Sequence, residues 1–137
     1  MVTIVEVLQI VAGGLSAVVL GMVWYSPRVF GGAWMGLVNL SPAQIESAKK
    51  KMPIMALVGL LAAFVLSWVM LQLALALSVT NVLGALTLGF LIWFGCMVPV
   101  LLAPVLWEQK ELKYFAITAG YWLLTTISIA SIVTLNV

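Results

Sequence analysis

The chain has 137 residues, of which 65% are hydrophobic and 7% are charged, and its mean hydropathy is +1.26. A water-soluble domain carries about a quarter charged residues to cover its core, so this composition excludes one and predicts an integral membrane protein. The net charge of +2 comes from basic residues that form no continuous stripe, so nucleic acid is not an expected partner.

Long stretches without a charged residue predict the number of membrane-spanning helices. They cover residues 7–27, 52–107 and 114–137. A hydrocarbon core of about 30 Å needs about 20 helical residues, so the middle stretch holds two spans, divided at its polar residues 78–81. We therefore predict one all-α domain, 1–137, folded as a four-transmembrane-helix bundle. Its spans are expected at about 4–24, 54–77, 82–106 and 114–135.

One face of the first predicted span carries polar residues in its first part and small residues after them. Glu6 and Gln9 precede Gly13, Ala17 and Gly21 at three- and four-residue spacing. Small residues let another helix backbone approach closely within lipid. The sequence therefore predicts that the three small residues form a helix-packing face.

Residues typical of a membrane–water boundary follow this span: amphipathic aromatics, a helix-breaking proline and a cation. They are Trp24, Tyr25, Ser26, Pro27, Arg28 and, further on, Trp34. We interpret them as an interfacial motif that ends the helix and anchors it. The alternative is a site for a lipid headgroup or a partner, in which Arg28 would pair with a phosphate.

Two short helices are predicted between the first and second spans. Residues 30–37 form an apolar face that is too short to cross and is expected to lie in the interface. A short cytoplasmic helix should then begin at Ser41, as the N-cap of a capping box with Gln44, and carry the basic run 49–51. Pro53 is expected to lie in the first turn of the second span.

The second and third spans contain residues that predict a packing face, a polar group within lipid and a kink. Gly59 and Ala63 continue the small-residue pattern and predict another packing face, and Gln72 places one amide within the second span. Pro99 and Pro104 each remove a backbone donor from the third span, so we expect a kink there.

Glu6, Gln9 and Gln72 form a candidate polar site, with Asn81 and the hydroxyl groups of 128–134 at the same end of the bundle. A carboxylate near hydrocarbon can bind a cation or relay a proton. The alternative is that Glu6 lies among the headgroups while the amides and hydroxyl groups bond between helices.

The basic residues all fall in the two loops at one end of a four-span chain. They are Arg28, Lys49, Lys50, Lys51, Lys110 and Lys113. Basic loops remain in the cytoplasm, so both termini are expected on the outer side.

One series of motifs resembles a known family. It consists of Gly21-x-x-Trp24-Tyr25-Ser26-Pro27, then Phe30-Gly31 and Trp34-Met35, with similar features later at Gly89-Phe90, Trp93, Pro99 and Gly120-Tyr121. The series resembles the bacterial membrane family catalogued as domain of unknown function seventeen-sixty-one. The resemblance covers most of the chain and implies a four-span bacterial protein, which we expect in the cytoplasmic membrane. It implies no activity.

The sequence gives little support to catalysis. Histidine is absent, Cys96 is the single cysteine, and no nucleophile–base pair or carboxylate dyad is apparent, so neither a metal nor a cofactor is expected. We interpret the chain as a structural or accessory membrane protein that self-associates or docks on a larger membrane complex. The alternative is a small oligomeric transporter or channel with an outward-facing polar site around Glu6 and Gln72.

Overall fold

The structure, a computed structural model, describes residues 1–135 and is all-helical over that range. Four of its helices are long and apolar enough to cross a membrane, as the sequence predicted. They are Ile4–Trp24, Pro42–Ala76, Val82–Trp107 and Leu112–Val133. The predicted fold class is therefore confirmed. The predicted outer location of the chain end at Val137 lies outside the described residues.

Helix α1 (Ile4–Trp24) begins with a capping box. The Thr3 hydroxyl accepts a hydrogen bond from the backbone N–H of Glu6, and the Glu6 carboxylate accepts one from the backbone N–H of Thr3, both at 3.2 Å. These two bonds satisfy donors that a helix start leaves free. Further along, Gly13 and Ala17 are buried and Gly21 is half-buried, so the predicted packing face points into the bundle.

Helix α2 (Gly31–Val38) follows a tight corner at the end of α1. The backbone N–H of Phe30 donates to the Trp24 carbonyl at 3.0 Å, and that of Gly31 donates to the Ser26 carbonyl at 2.9 Å. A side chain at Gly31 would collide with the Tyr25 carbonyl, so glycine is required at this close approach. With eight residues, α2 is too short to cross a membrane.

Helix α3 (Pro42–Ala76) is a single helix of 35 residues. It begins with the predicted capping box, in which Ser41 and Gln44 each accept a hydrogen bond from the other's backbone N–H. The prediction of a separate cytoplasmic helix that ends before Pro53 is wrong, because α3 runs through Pro53 without a break. Proline removes only one helical hydrogen bond there, to the carbonyl of Lys49, and near the headgroups water can satisfy that carbonyl.

The third span is interrupted in the region where the two prolines predicted a kink. It consists of α4 (Val82–Leu91), a π-helical segment (Ile92–Met97), α5 (Val98–Leu101) and α6 (Ala103–Trp107). The N–H of Val98 donates to Trp93 five residues earlier, as in a π-helix. Pro99 and Pro104 are each the second residue of a short helix, a position that tolerates a missing N–H.

Helix α7 (Leu112–Val133) is the most buried of the four and packs on α1, α3 and the third span. The hydrophobic core consists of Ala17, Met70, Leu71, Ala74, Leu88, Ile129, Ala130 and Val133. We call the end of the bundle that holds the termini and the 78–81 turn the terminal end. Except for Ala17, the core residues lie in the half of each helix nearest that end. The opposite end, with α2 and the basic residues, is the loop end. The bundle is therefore packed most tightly at its terminal end.

Candidate functional site

Aromatic residues of the α1–α2 corner pack against one another and against α7 at the loop end. The ring centroids of Trp24 and Phe30 lie 4.5 Å apart, and those of Tyr25 and Trp34 lie 5.6 Å apart. Tyr25 also contacts Tyr121 of α7, with 5.5 Å between ring centroids. We call these five residues the aromatic joint.

Hydrogen bonds from the aromatic joint to backbone carbonyls tie α1 to α7. The indole N–H of Trp24 donates to the Ile117 carbonyl at 2.9 Å, and the Tyr121 hydroxyl donates in the other direction to the Ala17 carbonyl at 2.8 Å. The absence of a side chain at Gly120 leaves room for the Trp24 ring, because a Cβ there would be 2.9 Å from it. The motif thus makes specific contacts inside the bundle.

The interfacial motif is divided between the interior and the surface. Trp24, Tyr25 and Ser26 are half-buried, whereas Pro27 and Arg28 are exposed. Burial raises the pKa of the Tyr25 hydroxyl, just beyond the last residue of α1, to about 12, so this group stays protonated at physiological pH. The exposed Arg28 is available to the surroundings, and its role in anchoring stays a prediction.

The three residues of the candidate polar site lie in different environments. Glu6 belongs to the capping box of α1, and the amide of Gln9, which is only 8% exposed, donates to the Leu135 carbonyl. Gln72 is exposed on the outside of α3. No hydrogen bond joins these three residues to one another within 1–135.

Some of the polar groups predicted at the same end do come together. A cavity of about 290 Å³ is lined at the terminal end by Asn81, Ser131 and Thr134, together with Thr80 and apolar residues. The hydroxyl groups of Ser131 and Thr134 donate to backbone carbonyls of their own helix, and the Asn81 side chain accepts from the N–H of Gly84. The side chains of Asn81, Ser131 and Thr134 therefore already have partners within the chain.

The largest cavity described here opens at the loop-end half of the bundle and has a volume of about 640 Å³. We call it the lateral cleft. Its lining residues come from α1, α3, α7 and the π-helical segment, and they are Ala17, Val18, Ala56, Gly59, Leu60, Ala62, Ala63, Leu66, Met97, Tyr121 and Trp122. A neighbouring cavity of about 240 Å³ shares Met97 and Trp122 and is also lined by Cys96.

Small side chains and the irregular third span leave this space open. On α3 the wall is formed by Gly59, Ala62 and Ala63, and a Cβ added at Gly59 would meet no atom within 4 Å. On the other side the third span packs mainly on α7. The predicted packing face of α3 is therefore exposed at Gly59 and half-buried at Ala63. The helix is fully buried one turn later at Ser67, where it meets Gly13.

The residues that line the lateral cleft offer contacts by which a ligand or partner could bind. Tyr121 is the titratable residue in its lining, and its hydroxyl already donates to Ala17. Trp122 also lines the cleft, and its indole N–H has no acceptor among residues 1–135, unlike the N–H groups of Trp24 and Trp93. The lining of the cleft is therefore mostly apolar, and it includes one tryptophan whose indole N–H is without an acceptor among the described residues.

Ala62, Met97 and Trp122 were not among the site residues predicted from the sequence. Recurrence of small residues along α3 indicated a packing face, but it could not show that the chain's own third span leaves this face uncovered. The pair Gly120-Tyr121 belongs to the motifs that resemble the family, and a small residue such as Gly120 within a span is a signal for a close contact between helices.

The fold and these contacts define a class of protein, an all-helical one with four helices fit to cross a membrane. The chain belongs to the family described as Protein of unknown function (DUF1761), whose model matches residues 8–134. This is the family that the motifs resembled, so that resemblance is confirmed. Searches of curated proteins and of solved structures found no match.

Proposed function

We propose that this protein is an accessory protein of the bacterial cytoplasmic membrane that binds a transmembrane helix of a partner protein in the lateral cleft. The observation that carries the proposal is the cleft itself, about 640 Å³ of space bordered on α3 by small residues. In lipid, helices associate where small residues let two backbones come close. Gly59, Ala62 and Ala63 offer such a surface.

A partner helix suits the lateral cleft better than a lipid chain does, because of Trp122. A polar N–H group in hydrocarbon is costly unless it has an acceptor. A hydrocarbon chain has no acceptor, whereas a helix can present a serine or threonine hydroxyl or a backbone carbonyl to the indole N–H. The donor therefore supports a polypeptide occupant.

The distribution of charge supports a location for the lateral cleft in the cytoplasmic half of the membrane. Ala56, in the cleft lining, follows the basic run 49–51 by five residues, or about 8 Å along α3. Basic loops are retained in the cytoplasm. A partner helix would therefore be bound near its own cytoplasmic end.

The alternative of a transporter around Glu6 and Gln72 has less support. The Glu6 carboxylate accepts a hydrogen bond at the helix start, and Gln72 lies exposed on the outside of α3. None of the three cavities described above is lined by Glu6, Gln9 or Gln72.

Photo-crosslinking from within the lateral cleft tests the proposal. A photoreactive amino acid would replace Ala62 in the cleft or, as a control, Val19, which is exposed on α1 outside it. In native membranes we expect one protein adduct of defined mass from position 62 and none from position 19. Adding Gly59→Leu should abolish that adduct by filling the cleft, and the chain should still fold because a Cβ at Gly59 meets no neighbour.

Two outcomes of this experiment would overturn the proposal. The first is a set of adducts from position 62 that contain only lipid or only a second copy of this chain. The second is a protein adduct that forms equally well when Gly59→Leu occupies the space.

A further inference from the structure

The outward face of α3 carries a regular stripe that the chain itself does not cover. Its members recur in steps of four and three residues, and all are exposed. They are Leu61, Val65, Trp68, Gln72 and Leu75. At 3.6 residues per turn they fall within an arc of about 80°. This is the heptad spacing by which two helices pack along a shared seam.

This stripe lies on the side of α3 away from the residues that contact the rest of the chain. Ser67, Met70 and Ala74 are buried and occupy the opposite side of the helix, and the buried Leu71 lies between the two sides. The lateral cleft also lies on that opposite side. Whatever covers the stripe is therefore independent of the occupant of the cleft.

Two polar groups distinguish the stripe from an ordinary lipid-facing surface. The Gln72 amide and the Trp68 indole N–H are four residues apart, and neither has a hydrogen-bond partner among residues 1–135. Trp68 lies eight residues before the end of α3, about 12 Å along the helix, which places it within hydrocarbon. Lipid chains offer the Trp68 N–H no acceptor, and leaving it unpaired is costly. Gln72 lies one turn nearer the end of the helix, about 6 Å from it.

We propose that the stripe is a homodimer interface in which α3 of one copy packs in parallel against α3 of a second copy. All copies insert in the same orientation, so a twofold axis along the membrane normal brings each stripe position against itself. An amide both donates and accepts hydrogen bonds, so Gln72 is complementary to Gln72 of the other copy. A single polar residue in an apolar seam also fixes the register of the two helices.

Disulfide formation between copies tests this interface. In a Cys96→Ala background, single cysteines would be placed on the stripe as Leu61→Cys, Trp68→Cys and Gln72→Cys. Leu8→Cys and Leu15→Cys, exposed on α1, are the controls. Cα atoms must come within about 7 Å for a disulfide to form. After mild oxidation of native membranes we expect covalent dimers from the stripe positions and none from the controls.

Replacement of the amide gives a second readout that does not depend on cysteine. In Förster transfer between labelled copies in lipid vesicles, Gln72→Leu should weaken dimerisation about five-fold, through loss of the hydrogen bond between helices. Thr87→Val, which removes an exposed hydroxyl from α4, is the matched control and should leave dimerisation unchanged. Because both changes are on exposed positions, the fold should be retained.

The proposal is overturned if disulfides form equally well from the α1 controls, since that pattern indicates random collision. It is also overturned if no stripe position gives a dimer, or if Gln72→Leu associates as strongly as the unchanged chain.

Discussion

Trp24, at the end of α1, donates its indole N–H to the backbone carbonyl of Ile117 on α7 at a distance of 2.9 Å. Its ring also fills the space above Gly120, so one side chain fixes both the distance and the rotation between two helices that are far apart in sequence. Tyr121, next to Gly120, lines the lateral cleft. The aromatic joint therefore connects the most distinctive sequence motif to the wall of the proposed binding site.

Removing this hydrogen bond while keeping an aromatic ring should weaken the bundle. We expect Trp24→Phe to lower the free energy of unfolding by about 1 kcal/mol, a typical cost for one lost hydrogen bond between helices. Denaturant titration in detergent micelles, followed by circular dichroism, measures the change. Trp107→Phe alters an exposed tryptophan that is not in the aromatic joint, so it is the control, and equal losses in the two variants would contradict the assigned role.

The contact between Gly13 of α1 and Ser67 of α3 can be tested with paired substitutions. A Cβ at Gly13 would collide with the Ser67 hydroxyl, which is buried and has no hydrogen-bond partner within the described chain. Gly13→Ala should therefore destabilise the protein by about 1–3 kcal/mol, the usual cost of overpacking. Ser67→Ala alone should have little effect, because it removes an unsatisfied polar group.

The double variant Gly13→Ala with Ser67→Ala decides whether this contact is the cause. We expect the second change to restore most of the stability lost through the first, so the two effects should not add. Strictly additive effects in the same unfolding measurement would show that the two side chains do not meet.

Glu6 provides a test of the capping box against the transport alternative. Glutamine can also close a capping box, so Glu6→Gln should change the free energy of unfolding by less than about 0.5 kcal/mol. Glu6→Ala removes the acceptor and should lower the free energy of unfolding by more than Glu6→Gln does. Flux assays on reconstituted vesicles should give the same result for the unchanged chain and for Glu6→Gln. Loss of a measurable ion or solute flux on Glu6→Gln would instead favour transport.

Two glycines should respond in opposite ways to the same substitution. A Cβ at Gly89 would be 2.9 Å from the Ile127 backbone of α7, whereas one at Gly59 would meet nothing within 4 Å. We therefore expect Gly89→Leu to reduce the melting temperature strongly and Gly59→Leu to leave it nearly unchanged or to raise it, since leucine favours helix. Similar decreases in the melting temperature of the two variants would mean that the lateral cleft is filled in the folded protein.

The features that the sequence predicted well are those set by local chemistry. Charge-free stretches of hydrocarbon length gave four spans, and Ser41 with Gln44 gave the start of α3. Pro53 led to a wrong boundary because local rules treat proline as a helix start, whereas a helix that is already formed on both sides can tolerate one missing bond. The capping box of Thr3 and Glu6 was not among the predicted features, because Glu6 was interpreted as a polar-site or headgroup-region residue and not as the partner of a cap.

The candidate sites were harder to predict because they depend on which faces meet. Small residues at regular spacing look alike whether they are buried, as Gly13 is, or open, as Gly59 is. The partner of Trp24 lies 93 residues away, and no local pattern encodes that pairing. Likewise, the lateral cleft exists only because the third span packs on α7, which is a property of the assembled bundle.

The measurement that tests the central claim most directly is the side of the membrane on which single cysteines react. In the Cys96→Ala background, Lys50→Cys and Lys110→Cys mark the loop end, and Asn81→Cys marks the terminal end. A membrane-impermeant maleimide applied to intact spheroplasts should label Asn81→Cys at once and label the two loop-end variants only after lysis. Labelling of Lys50→Cys from outside, or of positions 50 and 81 from the same side, would contradict a four-span chain with cytoplasmic basic loops.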